Sequence, residues 1–283
     1  MSIGKSLTLF IFRILPKSLL SRAFGYIARI PLPGPFMSSF IRWYSAKYGV
    51  KDEYIVPGRG FKTIDRFFTR KMRDGVHVID RAGNWAVSPV DARIDQFGEI
   101  RDTTVMQAKG IGYSLQHLIP SDTYRKFLWG SFMTLYLSPG DYHRIHAPVN
   151  GTVIGYYNIP GTLFTVQDWM VNRLPDLFVK NERIITYIQS SAGTVGVCKI
   201  GAMNVGRITL SYCKIQTNRT FRKRREIFFS PEDQVPVRAG DELGVFHLGS
   251  TIILLFQKGA ITFDDFSPGD RIRMGNRIGT LHF

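Results

Sequence analysis

The residues in this chain best suited to chemistry fall in three short phrases. One is Asp141-Tyr142-His143-Arg144-Ile145-His146, which follows the turn-forming Ser138-Pro139-Gly140 and sets two histidines three residues apart. Histidines at a tight turn are costly to bury unless they are hydrogen-bonded or work as acid and base. The second is Gly249-Ser250-Thr251, between Phe246-His247-Leu248 and the apolar run 252–256. A serine hydroxyl is a weak nucleophile and needs a neighbouring base oriented by a third group. The third is Ser88-Pro89-Val90-Asp91, which supplies a carboxylate. Taken singly, Gly249-Ser250 reads as a turn and the histidine pair as structural. His143, His146 and Asp91 are also a ligand set of the kind zinc takes in barrel-fold hydrolases.

The phrases carry more in combination. Phe67-Phe68-Thr69-Arg70-Lys71, Ser88-Pro89-Val90-Asp91, Gln107-Ala108-Lys109-Gly110 with Tyr113-Ser114-Leu115, the Asp141 to His146 phrase, Leu177-Phe178-Val179-Lys180-Asn181-Glu182-Arg183, Gly201-Ala202-Met203-Asn204-Val205-Gly206 and Leu248-Gly249-Ser250-Thr251 occur in that order. In this the chain closely resembles the phosphatidylserine decarboxylase family, over about residues 60 to 260. The resemblance implies a self-processing proenzyme. On that pattern Ser250 Oγ attacks the Gly249 carbonyl carbon in an N-to-O acyl shift that breaks the peptide bond, elimination across Ser250 Cα–Cβ expels the Gly249 carboxylate, and the resulting dehydroalanine hydrolyses to a pyruvoyl group with loss of ammonia. The chain is then a β chain, 1–249, and an α chain, 250–283, which remain associated. The family's Asp-His-Ser triad maps onto Asp91, His146 and Ser250, and a glycine at 249 keeps side-chain bulk away from the attack. In the mature form the pyruvoyl ketone, the only cofactor implied, forms a Schiff base with phosphatidylserine. Carbon dioxide is lost, and His143 is the expected proton carrier. Lys109, Arg144 and Asn181 recur in the family's phrases and could hold phosphate or order loops. Ala92 and Met203 depart from the family's usual residues without touching the triad.

These groups need a scaffold. From about residue 84 the sequence alternates short apolar runs with Gly and Pro, at residues 94–97, 132–137, 151–156, 184–188, 196–200, 208–211 and 251–256, which predicts a β-rich α+β body. Ser88-Pro89-Val90-Asp91-Ala92-Arg93-Ile94 and Ala147-Pro148-Val149-Asn150-Gly151-Thr152-Val153 resemble each other, and residues 269–279 have the spacing of a β-hammerhead. All three are similar to phrases of barrel-sandwich hybrid folds. The expected division is a helical segment, 1–60, and a catalytic β-rich domain, 61–283.

The helical segment is set apart by charge. The 283 residues carry a formal net charge of +15, and residues 1–51 hold eight Lys and Arg with no acid. The basic residues interleave with Leu7, Phe10, Ile11 and Ile14, then Leu20, Phe24 and Ile27, then Phe36, Phe40, Trp43 and Tyr44, at helical spacing. Pro16 and the stretch 31–35 separate the runs. Arg13 interrupts the best apolar stretch, so neither a spanning helix nor a signal peptide is expected. In-plane amphipathic helices on an anionic membrane are, which predicts a peripheral protein of the cytoplasmic face of the inner membrane. Arg222-Lys223-Arg224-Arg225, followed by Ile227-Phe228-Phe229, could be a second lipid-facing loop. The greasy setting of the charge argues against nucleic acid. Cys198 and Cys213 lack metal or redox spacing. A carrier module would need a lysine at the hairpin tip, where Arg273-Met274-Gly275 stands. A homodimer is compatible with the sequence.

Overall fold

Apolar runs too short for helices and bounded by Gly and Pro must pair as strands, and here they assemble around one broad antiparallel sheet. The computed structural model of the protein describes residues 17–108, 110–203, 207–218, 223–247 and 250–283. The expected helix at Leu7 to Ile14, Lys109, Asn204-Val205-Gly206, Arg222 and the Leu248-Gly249 pair lie outside them.

The sheet runs in the order β11 (Arg225–Phe228), β7 (Gly151–Ile159), β8 (Arg183–Ser190), β9 (Gly193–Gly201), β14 (Ser250–Phe256), β5 (Ser131–Leu137), β2 (Ala92–Glu99) and β16 (Arg271–Ile272), with β12 (Val235–Val237) also on β7. Smaller sheets pair β1 (Trp85–Val87), β17 (Arg277–Leu281) and β15 (Ile261–Phe263), then β10 (Ile208–Leu210), β13 (Glu242–Phe246) and β6 (Arg144–His146), then β3 (Thr104–Ala108) and β4 (Ile111–Ser114). Every residue of β14 is buried because both faces of the sheet are covered. Ile252, Leu254 and Phe256 enter one core with residues of the two three-stranded sheets. Ile253 and Leu255 enter the other with Phe127, Tyr187 and Phe178. That two-sided burial is why the run 252–256 is continuously apolar and does not alternate.

The two similar phrases lie side by side. Val87 N donates to Pro148 O at 2.8 Å and His146 N to Pro89 O at 2.9 Å, a reciprocal pair. The third phrase joins them, through Ser88 N to Asn276 O (2.8 Å) and Gly275 N to Ser88 O (2.9 Å).

Helices precede this body: α1 (Lys17–Ile27), α2 (Gly34–Tyr48) and the short α3 (Ile64–Phe68). Pro33 and Pro35 preset the start of α2, and Gly49 ends it in the left-handed region at φ 67°. Thr63 Oγ1 caps α3 by accepting from Arg66 N at 3.1 Å. Met37, Tyr54, Phe61 and Phe67 form a small core with Phe40, Ile41, Tyr44 and Met72, so the expected division at residue 60 falls inside a packed cluster. Leu20, Phe24, Ile27, Phe36 and Trp43 remain exposed. No helix among the described residues is long and apolar enough to cross a membrane.

Candidate active site

Ser250 is the first residue of the central strand and pairs with Leu137 of β5 on one side and Gly201 of β9 on the other. It is fully buried, and its Oγ has no hydrogen-bond partner among the described residues. A buried hydroxyl without a partner is destabilising; Thr134 Oγ1 and Thr251 Oγ1 share that state, and Ser250 is set apart from them by lining a cavity. Asn181, fully buried, braces the spot: its Nδ2 donates to Gly201 O (2.8 Å) and Phe164 O (2.9 Å), and its Oδ1 accepts from Phe164 N (2.9 Å). Its recurrence in the family's phrases therefore has a structural reason here.

Leu137 leads directly into the histidine phrase, so β5 carries the turn to the serine. Asp141 folds the turn, its Oδ2 accepting from Ser138 N at 2.7 Å while its N–H donates to Ser138 O at 3.0 Å. The N-terminal elements clamp the outside. Tyr44 Oη donates to Pro139 O (2.9 Å), and Arg70 Nη2 donates to Gly140 O (2.6 Å) and Asp141 O (3.2 Å). A Cβ on Gly140 would collide with the carbonyl oxygen of Tyr48, so glycine is what allows α2 to approach. Arg271 pairs with the Asp141 carboxylate, which burial raises above its ordinary pKa against the pull of that arginine.

His143 is fully buried. Its Nδ1 lies 2.8 Å from Asp141 O, and since a carbonyl only accepts, Nδ1 holds the proton and Nε2 a free lone pair. Nε2 has no partner among the described residues. Burial first, and then the charge of Arg70, press its pKa down to about 3, so the ring rests neutral. Phe68 packs on it with centroids 4.1 Å apart and the rings tilted by 48°. Phe68 also walls a cavity of about 290 Å³ shared with Ser250, Tyr136, Trp169 and, from the helices, Phe24, Tyr44 and Tyr48. Phe68 thus stands between His143 and the serine's cavity.

His146 is held differently. Nδ1 donates to Gly240 O at 2.6 Å, and Nε2 accepts from Tyr142 Oη at 3.1 Å. Burial lowers its pKa. The Asp91 carboxylate makes no hydrogen bond to this ring; it takes His77 Nε2 at 2.9 and 3.1 Å and Met274 N at 2.8 Å. Asp91 faces a second cavity of about 410 Å³, lined by Arg70, Asp141, Tyr142 and Arg273, across the turn from Ser250. The sequence-based constellation is therefore brought to one turn, but its members face two cavities. Nor do His143, His146 and Asp91 converge as zinc ligands: among the described residues no three His, Cys, Asp or Glu side chains do.

Arg144 serves the scaffold, with Nη1 2.7 Å from Glu242 Oε2 and Nε donating to Thr69 O at 3.0 Å. Residues 225–228 of the basic loop form β11. Sequence reasoning assigned nothing to His77 or His247, yet both ring systems bind carboxylates, His77 that of Asp91 and His247 that of Asp65 at 2.7 Å. Local spacing gave no signal for either, since the partners lie 14 and 182 residues away.

A family model described as Phosphatidylserine decarboxylase matches residues 64–280. Three similar proteins bear the name phosphatidylserine decarboxylase proenzyme. One from Myxococcus xanthus is 38% identical over 274 residues, covering 96% of this chain and 97% of its own. One from Nitrosospira multiformis is 37% identical, covering 97% and 96%. One from Shewanella amazonensis is 35% identical, covering 94% of each.

Proposed function

The chain belongs to the phosphatidylserine decarboxylase family and decarboxylates phosphatidylserine to phosphatidylethanolamine, and we propose that it does so through a pyruvoyl group made by self-cleavage between Gly249 and Ser250. The observation that carries this reading is Ser250 itself: a buried hydroxyl with no hydrogen-bond partner among the described residues, at the head of the central strand, in a cavity walled in part by Phe24, Tyr44, Tyr48, Phe68, Tyr136 and Trp169. The site fits the group, since Ser250 Cα is anchored between Leu137 and Gly201 while its Oγ has no partner among the described residues. When formed, the pyruvoyl group supplies an electrophilic ketone and an electron sink for breaking the carbon–carbon bond.

The side chains divide the remaining work. Ser250 Oγ is the nucleophile toward the Gly249 carbonyl, and His146 is the base: the Gly240 carbonyl holds its proton on Nδ1, so Nε2 is the basic nitrogen. Tyr142 Oη occupies that nitrogen at rest and must yield it. Asp91 completes the triad from behind Tyr142. His143 keeps its proton on Nδ1 and has no partner on Nε2 among the described residues, which suits it to carry the proton returned to Cα once carbon dioxide has left, provided that Phe68, which stands between the ring and the cavity at rest, moves aside.

Cleavage leaves the two pieces interlocked. The α chain begins with β14, hydrogen-bonded to β5 and β9 along its length, and also contributes β15, β16 and β17. The reciprocal phrases about Pro89 and Pro148, joined by residues 275–276, support a barrel-sandwich hybrid as the ancestry of the body.

Residues 1–60 serve as the membrane-association segment and 61–283 as the catalytic part, the two packed together through Met37, Tyr54, Phe61 and Phe67. Phe24 both lines the Ser250 cavity and is 38% exposed, and Leu20, Ile27, Phe36 and Trp43 are exposed beside Arg22, Arg29, Arg42 and Lys47. An anionic bilayer is the surface such a face fits, with the acyl chains of the substrate entering past Phe24. Such a face favours a peripheral position at the cytoplasmic face of the inner membrane, and a homodimer is compatible with it.

Intact mass of the purified protein is the test. A 34-residue fragment, 250–283, lacking a free N-terminal amine is expected, and Ser250→Ala should give one intact chain. Active wild-type protein in a single piece overturns the reading.

A further inference from the structure

Asp91 and His77 form a pair that the family's triad does not account for. His77 Nε2 lies 2.9 and 3.1 Å from the two carboxylate oxygens, a bridging contact, and the side chains are 6% and 17% exposed. The backbone N–H of Met274 closes on Oδ1 at 2.8 Å. The ring of His77 then packs on Tyr142 with centroids 4.9 Å apart. On its other side Tyr142 stacks on His146 at 5.6 Å and 24°, with its hydroxyl on His146 Nε2. The contacts leading from Asp91 to His146 therefore run through His77 and Tyr142.

A carboxylate this enclosed needs donors on both oxygens, and its influence on a base depends on where those donors hold it. We infer that His77 is a positioning residue of self-processing: it fixes the Asp91 carboxylate behind Tyr142, so that Asp91 acts on His146 through the packed rings of His77 and Tyr142 and not by direct contact. The inference rests on the reading of Ser250 as the self-cleaving residue. It assigns His77 no role toward substrate. It also explains the Met274 bond: His77 and Met274 grip Asp91 from the β-chain and α-chain sides of the future break, so the residues after β16 are seated on the maturation site before cleavage occurs.

The experiment follows the 34-residue fragment over time in freshly synthesised full-length chain, for wild type, His77→Ala, His77→Gln, Asp91→Asn and the double variant His77→Ala/Asp91→Asn. Losing a hydrogen bond to a charged group predicts cleavage roughly 10- to 100-fold slower in His77→Ala. His77→Gln, which keeps one N–H for the carboxylate, should recover part of that loss. If His77 works through Asp91, the double variant should cleave no more slowly than Asp91→Asn alone. Imidazole added to His77→Ala should speed cleavage, which a purely structural defect would not allow. Wild-type speed in His77→Ala and His77→Gln, or losses that multiply in the double variant, overturn the inference. Should His77→Ala fail to fold, the His77→Gln and Asp91→Asn pair and their double variant carry the same coupling test. A wild-type chain that never cleaves would instead sink the reading of Ser250, so the two failures are told apart.

Discussion

Asp65 Oδ1 and His247 Nδ1 lie 2.7 Å apart, joining α3 to the residue that precedes the Leu248-Gly249 pair. Arg207 adds a contact to the same carboxylate at 3.5 Å, Thr209 Oγ1 holds His247 Nε2 at 3.2 Å, and Asp65 N donates to Ala28 O at 2.9 Å. The segment leading into Ser250 is thus tied through one carboxylate to the N-terminal helices. Burial pulls the Asp65 pKa up, but the hydrogen bond and charge of His247 with Arg207 and Arg29 prevail and hold it below the ordinary value.

Asp65→Asn should cost about 1–3 kcal/mol, because it removes the charge from a largely enclosed pair. The stabilisation is present above the unfolded aspartate pKa of 3.8 and fades as pH falls through the lower folded value. Urea midpoints of the Ser250→Ala background, with and without Asp65→Asn, measure it. Equal midpoints at neutral pH would show the contact to be idle.

Cleaved wild-type protein should elute as one particle under native conditions and separate only in denaturant, since β14 is hydrogen-bonded on both edges and buried along its length. Leu254→Ala, at the centre of that strand, should cost about 2–5 kcal/mol and loosen the pair. Size exclusion at increasing urea reads both. A fragment 250–283 that drifts free without denaturant contradicts the interlocked sheet.

His143→Ala should still self-cleave, because the base assigned to that step is His146. Carbon dioxide release should fall on the order of 10²–10⁴-fold, the contribution of a positioned acid or base. A gel for the fragment and a rate on phosphatidylserine decide together. A chain that cannot cleave makes His143 part of maturation, and one that cleaves and decarboxylates normally removes it from the chemistry.

Acid should destabilise the fold through these same rings. The unfolded chain protonates its histidines near 6.5, whereas folded His143 resists down to about 3 and His146 is lowered too. Below 6.5 the unfolded state therefore binds more protons, and stability declines as pH falls, by up to about 1.4 kcal/mol per pH unit for each such group. Stability of Ser250→Ala should drop between pH 6.5 and 4 more steeply than that of Ser250→Ala/His143→Ala. Parallel curves would show that His143 is not kept neutral by the fold.

Anionic vesicles should bind the chain through α1 and α2, with affinity that weakens but persists as salt rises, since screening acts on the arginines and lysines and not on apolar insertion. Phe36→Glu with Trp43→Glu should abolish most of that binding while leaving self-cleavage intact, both side chains being more than half exposed and outside the Ser250 cavity. Undiminished binding by this variant would move the membrane contact elsewhere, with residues 225–229 the next to test.

By itself the sequence determined the β-rich character of the body, seven of its strands and the reaction. Short apolar runs between Gly and Pro specify strands because periodicity is a local property, and β2, β5, β7, β8, β9 and β14 cover the runs it marked, with β10 covering all but Ser211 of the run 208–211. Ser250, His143, His146 and Asp91 stood out because each sits in a phrase of the family, and a phrase is read along the chain. Tertiary structure alone decided who touches whom. The sequence-based triad set Asp91 on His146, yet the folded chain gives Asp91 to His77 and His146 to Gly240 and Tyr142. It likewise gives His247 to Asp65, 182 residues away. Hydrogen-bond partners across sheets follow from register and from which faces meet, and those are set by burying the apolar residues of many strands at once. No local pattern around His77 or His247 could encode a partner that only the closed core brings within reach.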